Sequence, residues 1–531
     1  MDTIRRVSKP LAFASLYLAS VAALWACIGS SKSPAVAGPD LDSGNSSDSA
    51  YDDDFMIVDE SLMEAMGNAQ CALDDQTDPV ALCLTQQVLS FNLQYAYKPG
   101  QGVAPSWSSA SPYAAATTGH SALDDLGLAG ALGGFYCSAE VYGNNQTETA
   151  FDAVLKDLAT VLAGELSSQP LSGYDGELYF RLRWAQTAYN TFNDSFATTL
   201  GAAADTFGAA LQAQAYTVAA SGSGDAGSPG GVVIGTRNGD GSVSYAPAQT
   251  VMAAAALLDM ALRHVGDTDA GSAPATWEAT AQQVLTYVQA RARDPQTGLY
   301  YQALVTSADP GHDALGTASP TNDALLTDTQ AWVMLGFARA QDLLTTLQTP
   351  PDGGSPIFDS GMLPAPPYWI AGSDLATAIT AAGLFDGSTN PPTPPTPGTF
   401  MQGLLPSDGV VLTNKTSIGN AILLGAFHRI ATGYGSALSY ELGEVRAGLT
   451  AITTCNTSLL SVVCSPSGPV QQAYLTAASK AYGLPATFAD DGGTSAPPAG
   501  ASDYQTEATI AAIEGFTQLW HGATHAASCA P

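Results

Sequence analysis

The hydrophobic pattern between residues 276 and 344 predicts two helices with different surroundings. Apolar side chains in residues 276–293 recur at one-face spacing, which predicts an amphipathic helix with one buried side: Trp277, Ala281, Val284, Leu285, Val288 and Ala292. Residues 328–344 contain the apolar run 331–338, which predicts a helix buried on every side. A half-buried helix followed by a fully buried one is the unit of a double ring of helices, in which an outer ring wraps an inner ring.

The same alternation continues along the chain. Residues 251–258 and 417–430 are apolar throughout and are predicted to be inner, whereas 374–385 and 436–452 are predicted to be outer. Further helices are expected at 80–97, 121–142, 150–166, 177–193, 196–220, 470–482 and 506–521. The sequence therefore predicts an all-α fold of about twelve or thirteen helices. Residues 232–245 are predicted to form a short β-hairpin that turns at 238–241.

Four predicted helices carry a glycine near an aromatic residue in mid-helix: Gly134, Gly336, Gly425 and Gly515. Glycine costs about 1 kcal/mol there relative to alanine. Close approach of neighbouring inner helices would offset that cost and would mark an internal repeat. The alternative is chance, because the chain is rich in glycine.

The N-terminus has the features of a targeting segment. A basic region with Arg5, Arg6 and Lys9 precedes an apolar run too short for a comfortable membrane span. The run ends in Leu-Trp-Ala-Cys at 24–27, which resembles the lipobox of bacterial lipoproteins. That resemblance implies a signal peptide at 1–26, lipidation of Cys27 and, since Ile28 follows, the outer membrane or cell surface. An ordinary secretory signal with an incidental cysteine is the alternative.

Residues 27–70 are rich in Ser, Gly and Asp and are predicted to be an acidic tether, with a single domain over 71–531. Six cysteines lie in that domain, and an even count in an exported chain predicts disulfides. Fifteen pairings are possible. Closure of short loops favours Cys455–Cys464 and Cys71–Cys83, which leaves Cys137–Cys529.

Charge narrows the range of partners. Charged residues make up 12% of the chain and the formal net charge is −31, whereas phosphate binding needs clustered Lys and Arg. We therefore expect no nucleic-acid partner. We also expect a monomer that contacts the membrane only through its N-terminal lipid. No GxSxG, HExxH, phosphate-loop or Cys/His motif is present, so the sequence predicts no cofactor and no metal. The segment 236–241 vaguely resembles a calcium loop but lacks the first Asp and the bidentate Glu, which favours a hairpin turn.

The helix pattern resembles the six-hairpin (α/α)6 toroid of carbohydrate-active enzymes, which include glycoside hydrolases, unsaturated glucuronyl hydrolases, sugar epimerases and lyases. The resemblance spans roughly residues 75–525. It rests on the helix alternation, on the Asp294 to Tyr301 loop, and on Asp-Thr-Gln-Ala-Trp at 328–332. It implies a pocket on the face where the inner helices start.

Hydrolysis of a glycosidic bond needs two carboxyl groups, about 5–5.5 Å apart for retention of configuration or 6.5–9.5 Å apart for inversion. Asp294 and Asp328 lie at opposite ends of one outer-to-inner turn and are the candidate acid/base pair. Asp328 has an alternative role as a helix N-cap, and Asp294 as a helix terminator before Pro295. Other carboxyls on such turns are Asp175, Glu177, Asp313, Asp323, Asp503 and Glu507.

Aromatic rings pack on the C–H faces of sugars, so Tyr300, Tyr301 and Trp332 are a candidate sugar platform, with core packing as the alternative. Gln249, Asn414 and Lys415 precede other inner helices and are candidates to bind hydroxyl groups, although ordinary loop polarity would also account for them. The Asp124–Asp125 pair looks catalytic. At a helix start, however, it is also what the helix dipole favours.

Three functions are compatible with these features. The leading hypothesis is an exported lipoprotein that hydrolyses a glycan. The second is a protein of the same fold that binds a glycan or a partner protein without catalysis. The third is a lyase, which the low content of Lys and Arg disfavours because a polyanionic substrate would meet a repulsive surface.

Overall fold

The computed structural model describes residues 89, 92–108, 120–136, 145–168, 173–219, 230–267, 271–307, 313–315, 324–348, 367–385, 400–407, 409–433, 487–488 and 503–521. The signal segment, the tether and the candidate lipidation and disulfide residues Cys27, Cys71, Cys83, Cys137, Cys455, Cys464 and Cys529 all lie outside these residues. So do the predicted helices at 436–452 and 470–482. Within the described residues, no helix combines the length and the apolar character needed to cross a membrane.

The α-helices of the described residues alternate between two layers. The inner helices are α1 (Ala122–Tyr136), α3 (Gly176–Thr191), α5 (Pro247–Arg263), α7 (Thr327–Gln348), α9 (Ser417–Gly433) and α10 (Thr506–His521). The outer helices are α2 (Asn145–Ser168), α4 (Phe196–Ala213), α6 (Ala273–Arg291) and α8 (Pro367–Ala381). Each inner helix packs on the next along the chain, and α10 packs back on α1, so the inner ring closes. The fold is the predicted (α/α)6 toroid.

Burial explains why each helix takes its layer. All of α5 from Thr250 to Ala261 is buried, as expected for a helix with neighbours on every side. The outer helix α6 buries mainly one stripe, Ala281, Val284, Leu285 and Val288, and exposes its polar face. The sequence assignments of 251–258, 328–344 and 417–430 as inner and of 276–293 and 374–385 as outer are confirmed, with boundaries that shift by a few residues.

Glycines allow the inner helices to approach closely. A Cβ at Gly336 of α7 would lie 2.7 Å from Cγ1 of Val251 on α5. A Cβ at Gly515 of α10 would lie 2.2 Å from the backbone oxygen of Ala421 on α9. Both distances are shorter than real carbon contacts allow. The close approach predicted from the glycine pattern is therefore confirmed at these two positions.

Short antiparallel strands precede several inner helices. Strand β3 (Ser106–Ser108), before α1, pairs with β14 (Asp503–Gln505), before α10. Strand β10 (Leu325–Leu326), before α7, pairs with β11 (Met401–Leu405), which pairs with β12 (Val410–Thr416), before α9, and β12 with β13 (Thr487–Phe488). These pairings bring the N-terminal ends of the inner helices to one face.

The predicted β-hairpin turn at 238–241 is confirmed, but the partner of strand 232–234 and the ends of two helices were predicted wrongly. The predicted strand 232–234 belongs to β5 (Gly231–Ile234), which pairs with β4 (Ala215–Val218), so the helix expected over 196–220 ends at Ala213. The hairpin at the predicted turn is made by β6 (Thr236–Arg237) and β7 (Val243–Tyr245), and β7 continues to β8 (Leu304–Val305) and β9 (Ala314–Leu315). The helix expected to end at 97 is replaced at its C-terminal end by a short π-helix, Asn92–Ala96. Strand β1 (Tyr97–Lys98) follows and pairs with β2 (Gly102–Val103).

Candidate active site

Four carboxyl groups from different inner helices gather where those helices begin, and we call them the acidic rim: Asp124, Glu177, Asp328 and Glu507. Glu507 lies in the first turn of α10 and interacts electrostatically with each of the other three. It is exposed, whereas Asp124 is only 6% exposed. The rim therefore combines an accessible carboxylate with carboxyls withdrawn from water.

Asp124 has the smallest exposed fraction of the four rim carboxyls. Burial raises its pKa to about 7, because the charged form loses its hydration. The Arg181 guanidinium opposes that shift, whereas Glu507 and Asp125 add to it. A carboxyl with this pKa is partly protonated at neutral pH, as a general acid must be.

Glu177 and Arg181 form the centre of the rim on α3. Nη2 of Arg181 donates to Oε1 of Glu177 at 3.0 Å and lies 3.4 Å from Oε2 of Glu514 on α10. Burial raises the pKa of Glu177 to about 8, against the opposing effect of Arg181. Asp175, one of the predicted candidates, instead caps α3 by accepting from the Glu177 N–H at 3.0 Å.

Asp328 lies in the first turn of α7, on the same face. Its Oδ1 accepts from the Thr416 hydroxyl at the end of β12, which joins the starts of α7 and α9. Burial raises its pKa to about 6, while the hydrogen bonds from Thr416 and from the Gly419 N–H oppose the shift. This predicted site residue thus belongs to the rim.

Asp294, the other member of the predicted pair, is bound within its own loop. Its oxygens accept from the Thr297 N–H and hydroxyl, both at 2.7 Å, and from the Tyr301 hydroxyl at 2.8 Å. Burial alone would raise its pKa, but the hydrogen bonds from Thr297 and Tyr301 outweigh burial and lower it. The structure places Asp294 where a loop-terminating role accounts for all these contacts.

The predicted sugar platform is divided between core and surface. Tyr300 and Tyr301 are buried, and the Tyr300 hydroxyl accepts from Nε of Arg293 at 2.7 Å. Gln330 of α7 fixes this loop by bonding both backbone groups of Tyr300, each at 2.8 Å. Trp332 is partly buried, and Gln249 is exposed in the first turn of α5. The tyrosines therefore position the loop and present no ring at a surface.

Other candidates have separate roles. Asp313 is buried and accepts from Tyr245, Tyr287 and Arg291, which ties β9 to α6. Asn414 lies in β12 and Asp503 in β14, while Asp323 and the Lys415 side chain lie outside what the structure describes.

Asp125 faces away from its neighbour Asp124. Its oxygens accept from the Val103 N–H at 2.6 Å and lie 2.8 Å from Nδ1 of His120, which is itself 3.3 Å from Glu165. Ligand atoms of His120, Asp125 and Glu165 lie within 4.8 Å of one another, so these residues have the composition to hold a metal ion. Their mutual hydrogen bonds account for the arrangement equally well.

Sequence reasoning included Glu177 and Glu507 only within a larger set, attributed Asp124 to the helix dipole, and missed Arg181. The signal that could have identified Arg181 is its position one turn after Glu177 in a helix predicted to be aromatic and largely buried. A buried charge requires a partner of opposite charge, and that requirement could have identified the rim.

No protein-family model and no curated protein matches this chain. Among solved structures, it is similar to a UGL variant with dGlcA-Glc-Rha-Glc, with 14% identity, a TM-score of 0.50, and coverage of 82% of this chain and 95% of that one. An unsaturated glucuronyl hydrolase specific for heparin has 11% identity and a TM-score of 0.49, over 83% and 97% of the two chains. An α-1,6-mannanase of Salegentibacter sp. has 12% identity and a TM-score of 0.44, over 83% and 98%. At these identities the similarity concerns the fold, and it agrees with the six-hairpin toroid predicted from the sequence.

Proposed function

We propose that this protein hydrolyses glycosidic bonds in an uncharged glycan at the acidic rim. One observation carries the proposal: inner helices place several carboxyls with raised pKa values around one arginine, on the face where the helices begin. Carboxyls with strongly shifted pKa values cluster at functional sites more than elsewhere. The similar UGL variant carries the oligosaccharide dGlcA-Glc-Rha-Glc, which is consistent with a glycan as the substrate class.

Asp124 is assigned the role of general acid. Its pKa of about 7 leaves a proton available for the glycosidic oxygen of the leaving group at neutral pH. Glu507, which is exposed and interacts with Asp124, is the second carboxylate that attacks the anomeric carbon or activates a water. Asp328 and Glu177 then bind sugar hydroxyl groups, with Arg181 balancing the charge of the group.

The charge of the rim favours an uncharged substrate. Four carboxyls share the rim with one guanidinium, Arg181, and Arg181 is already paired with Glu177 and Glu514. Asp124 and Glu177, with pKa values of about 7 and 8, hold protons for much of the time at neutral pH, but Asp328, with a pKa of about 6, is mostly charged. A uronate or sulfate group would add negative charge beside it, where repulsion is poorly screened. We further propose, from the N-terminal sequence, that the protein is exported and lipid-anchored through Cys27.

The test is a screen of the full chain against uncharged and uronate-containing polysaccharides, with release of reducing ends as the readout. Asp124→Asn should lower the rate on the preferred glycan about 10²–10⁴-fold, the usual contribution of a general acid. Asp152→Asn is the matched control, because Asp152 forms a surface pair with Lys156 on outer helix α2.

Full activity in Asp124→Asn would remove the assignment of the general acid. Saturable glycan binding without bond cleavage, by the wild-type protein on every glycan tested, would replace hydrolysis by the non-catalytic binding function.

A further inference from the structure

A charged cavity lies between inner helices, lined by the middle of α3, by the middle and C-terminal part of α7, and by the C-terminal turns of α5 and α9. It has a volume of about 120 Å³ and receives side chains from four inner helices. We call it the arginine cavity, and its lining is Phe180, Arg183, Asp259, Arg263, Arg339, Asp342, Leu343, Thr346 and Arg429. Since a water molecule occupies about 30 Å³ of the liquid, the space is large enough for a small polyatomic ion.

The cavity is unusually basic for this protein. Four of the 17 Lys and Arg residues of the chain line it, against two aspartates, although the chain as a whole has a net charge of −31. A concentration of guanidinium groups in so acidic a chain requires a physical reason.

Internal ion pairs account for some of these arginines. Arg183 uses its donors on Tyr179, Gln186 and Asp205, at 3.0, 3.0 and 2.5 Å. Nη1 of Arg429 donates to Asp342 at 3.1 Å. These two side chains therefore form the walls of the cavity and bind it to the surrounding helices.

Arg339 has unused capacity. It is only 3% exposed, its guanidinium lies 4.4 Å from the Phe180 ring centroid, and Nη2 donates to Glu514 at 2.6 Å. Its Nε is buried and has no partner among the described residues. Burial lowers the pKa of Arg339 to about 10, although Glu514 opposes that shift. Glu514 therefore uses only one of the donors of the Arg339 guanidinium, which lines the cavity.

Arg263 is a second lining residue whose guanidinium has donors available for a ligand. Its Nε donates to Asp259 at 2.6 Å, whereas its Nη atoms have no partner within the described part of the chain. The side chain is 45% exposed, so it forms an accessible entrance to the cavity.

The helix dipole explains part of the arrangement but leaves Arg339 unexplained. Cations are favoured near helix C-termini, and Arg263 and Arg429 lie near the ends of α5 and α9. Arg339 lies well before the end of α7 at Gln348, beyond the range of that effect.

We propose that the arginine cavity binds one small oxyanion, a phosphate, a sulfate or a carboxylate, between the guanidinium groups of Arg263 and Arg339. Guanidinium groups present planar pairs of donors that match such oxygens, and these charge-assisted bonds are among the strongest in proteins. Binding here is separate from glycan hydrolysis at the acidic rim, so either proposal can fail while the other stands.

The experiment titrates the full chain with inorganic phosphate, sulfate and acetate by isothermal calorimetry, with ionic strength held constant by chloride. Saturable one-site binding is expected, and the three titrations distinguish tetrahedral anions from carboxylates. Arg263→Gln should weaken binding about 10- to 150-fold, which corresponds to the roughly 1.5–3 kcal/mol that one charge-assisted hydrogen bond contributes. Arg237→Gln, at an exposed position in β6 outside the cavity, is the control and should bind as the wild type does.

A second variant addresses the buried group. Arg339→Lys keeps a positive charge but removes the Nε donor, and its folding is checked by circular dichroism. A folded Arg339→Lys protein is expected to bind the anion more weakly. Absence of saturable binding to all three anions, or equal binding by Arg263→Gln and Arg237→Gln, would overturn the proposal.

Discussion

The acidic rim and the arginine cavity carry opposite charge, although helices α3 and α7 contribute residues to both. Carboxyls gather at the helix starts, in the acidic rim, and arginines gather in the arginine cavity. The helix dipole favours anions at N-termini and cations at C-termini. The dipole therefore accounts for the carboxyls of the rim and for Arg263 and Arg429, whereas Arg183 and Arg339 lie in mid-helix and are held by ion pairs with Asp205 and Glu514.

Some charged groups of the acidic rim and the arginine cavity are bound in ion pairs, whereas others remain available to a ligand. A line of paired charges joins the rim to the cavity: Arg181 contacts Glu177 and Glu514, and Glu514 contacts Arg339. These ion pairs use the Nη2 atoms of both arginines, whereas Nε of each arginine has no partner among the described residues. The two proposals rest on other groups: on Asp124, whose pKa burial raises to about 7, and on the Nη atoms of Arg263, which have no partner in the described part of the chain.

Removing Glu514 should break the connection between the rim and the cavity. Glu514→Ala leaves the buried guanidinium groups of Arg181 and Arg339 without their shared partner, and breaking a buried ion pair costs about 3–5 kcal/mol. Urea unfolding measures the loss. Asp152→Ala, which breaks the surface pair with Lys156, is the control and should cost less than about 1 kcal/mol. An equal effect of the two variants would mean that the buried line contributes no more than a surface pair.

A methyl group added between two inner helices should lower the free energy of unfolding by less than the loss of Glu514 does. Gly515→Ala places a Cβ 2.2 Å from the Ala421 backbone oxygen and should destabilise the protein by about 1–3 kcal/mol through overpacking. Gly164→Ala, on outer helix α2 with no atom within 4 Å, should instead stabilise it by up to about 1 kcal/mol. Thermal unfolding of the pair separates helix propensity from packing. Stabilisation by both changes would show that the inner helices can move apart at no cost.

The alternation of buried and half-buried helices could be predicted from sequence because each helix records its own surroundings in its own residues. The close contacts at Gly336 and Gly515 were predictable for the same reason. Strand pairing was not, since nothing within 232–234 distinguishes β4 from β7 as its partner. The burial of Asp124 and the hydrogen bonds that hold Asp294 within its loop could not be predicted, because both arise only when the chain folds. Arg181 shows the same limit, since its partners come partly from α10.

The pH dependence of kcat/KM on the preferred glycan tests the catalytic assignment of the acidic rim most directly. The pKa of Asp124 is raised to about 7, so the carboxyl is protonated below that pH and loses its proton above it. As a general acid it should make kcat/KM fall tenfold per pH unit well above pH 7. In Asp124→Asn this limb should disappear together with most of the rate. An unchanged rate and an unchanged basic limb in Asp124→Asn would contradict the account.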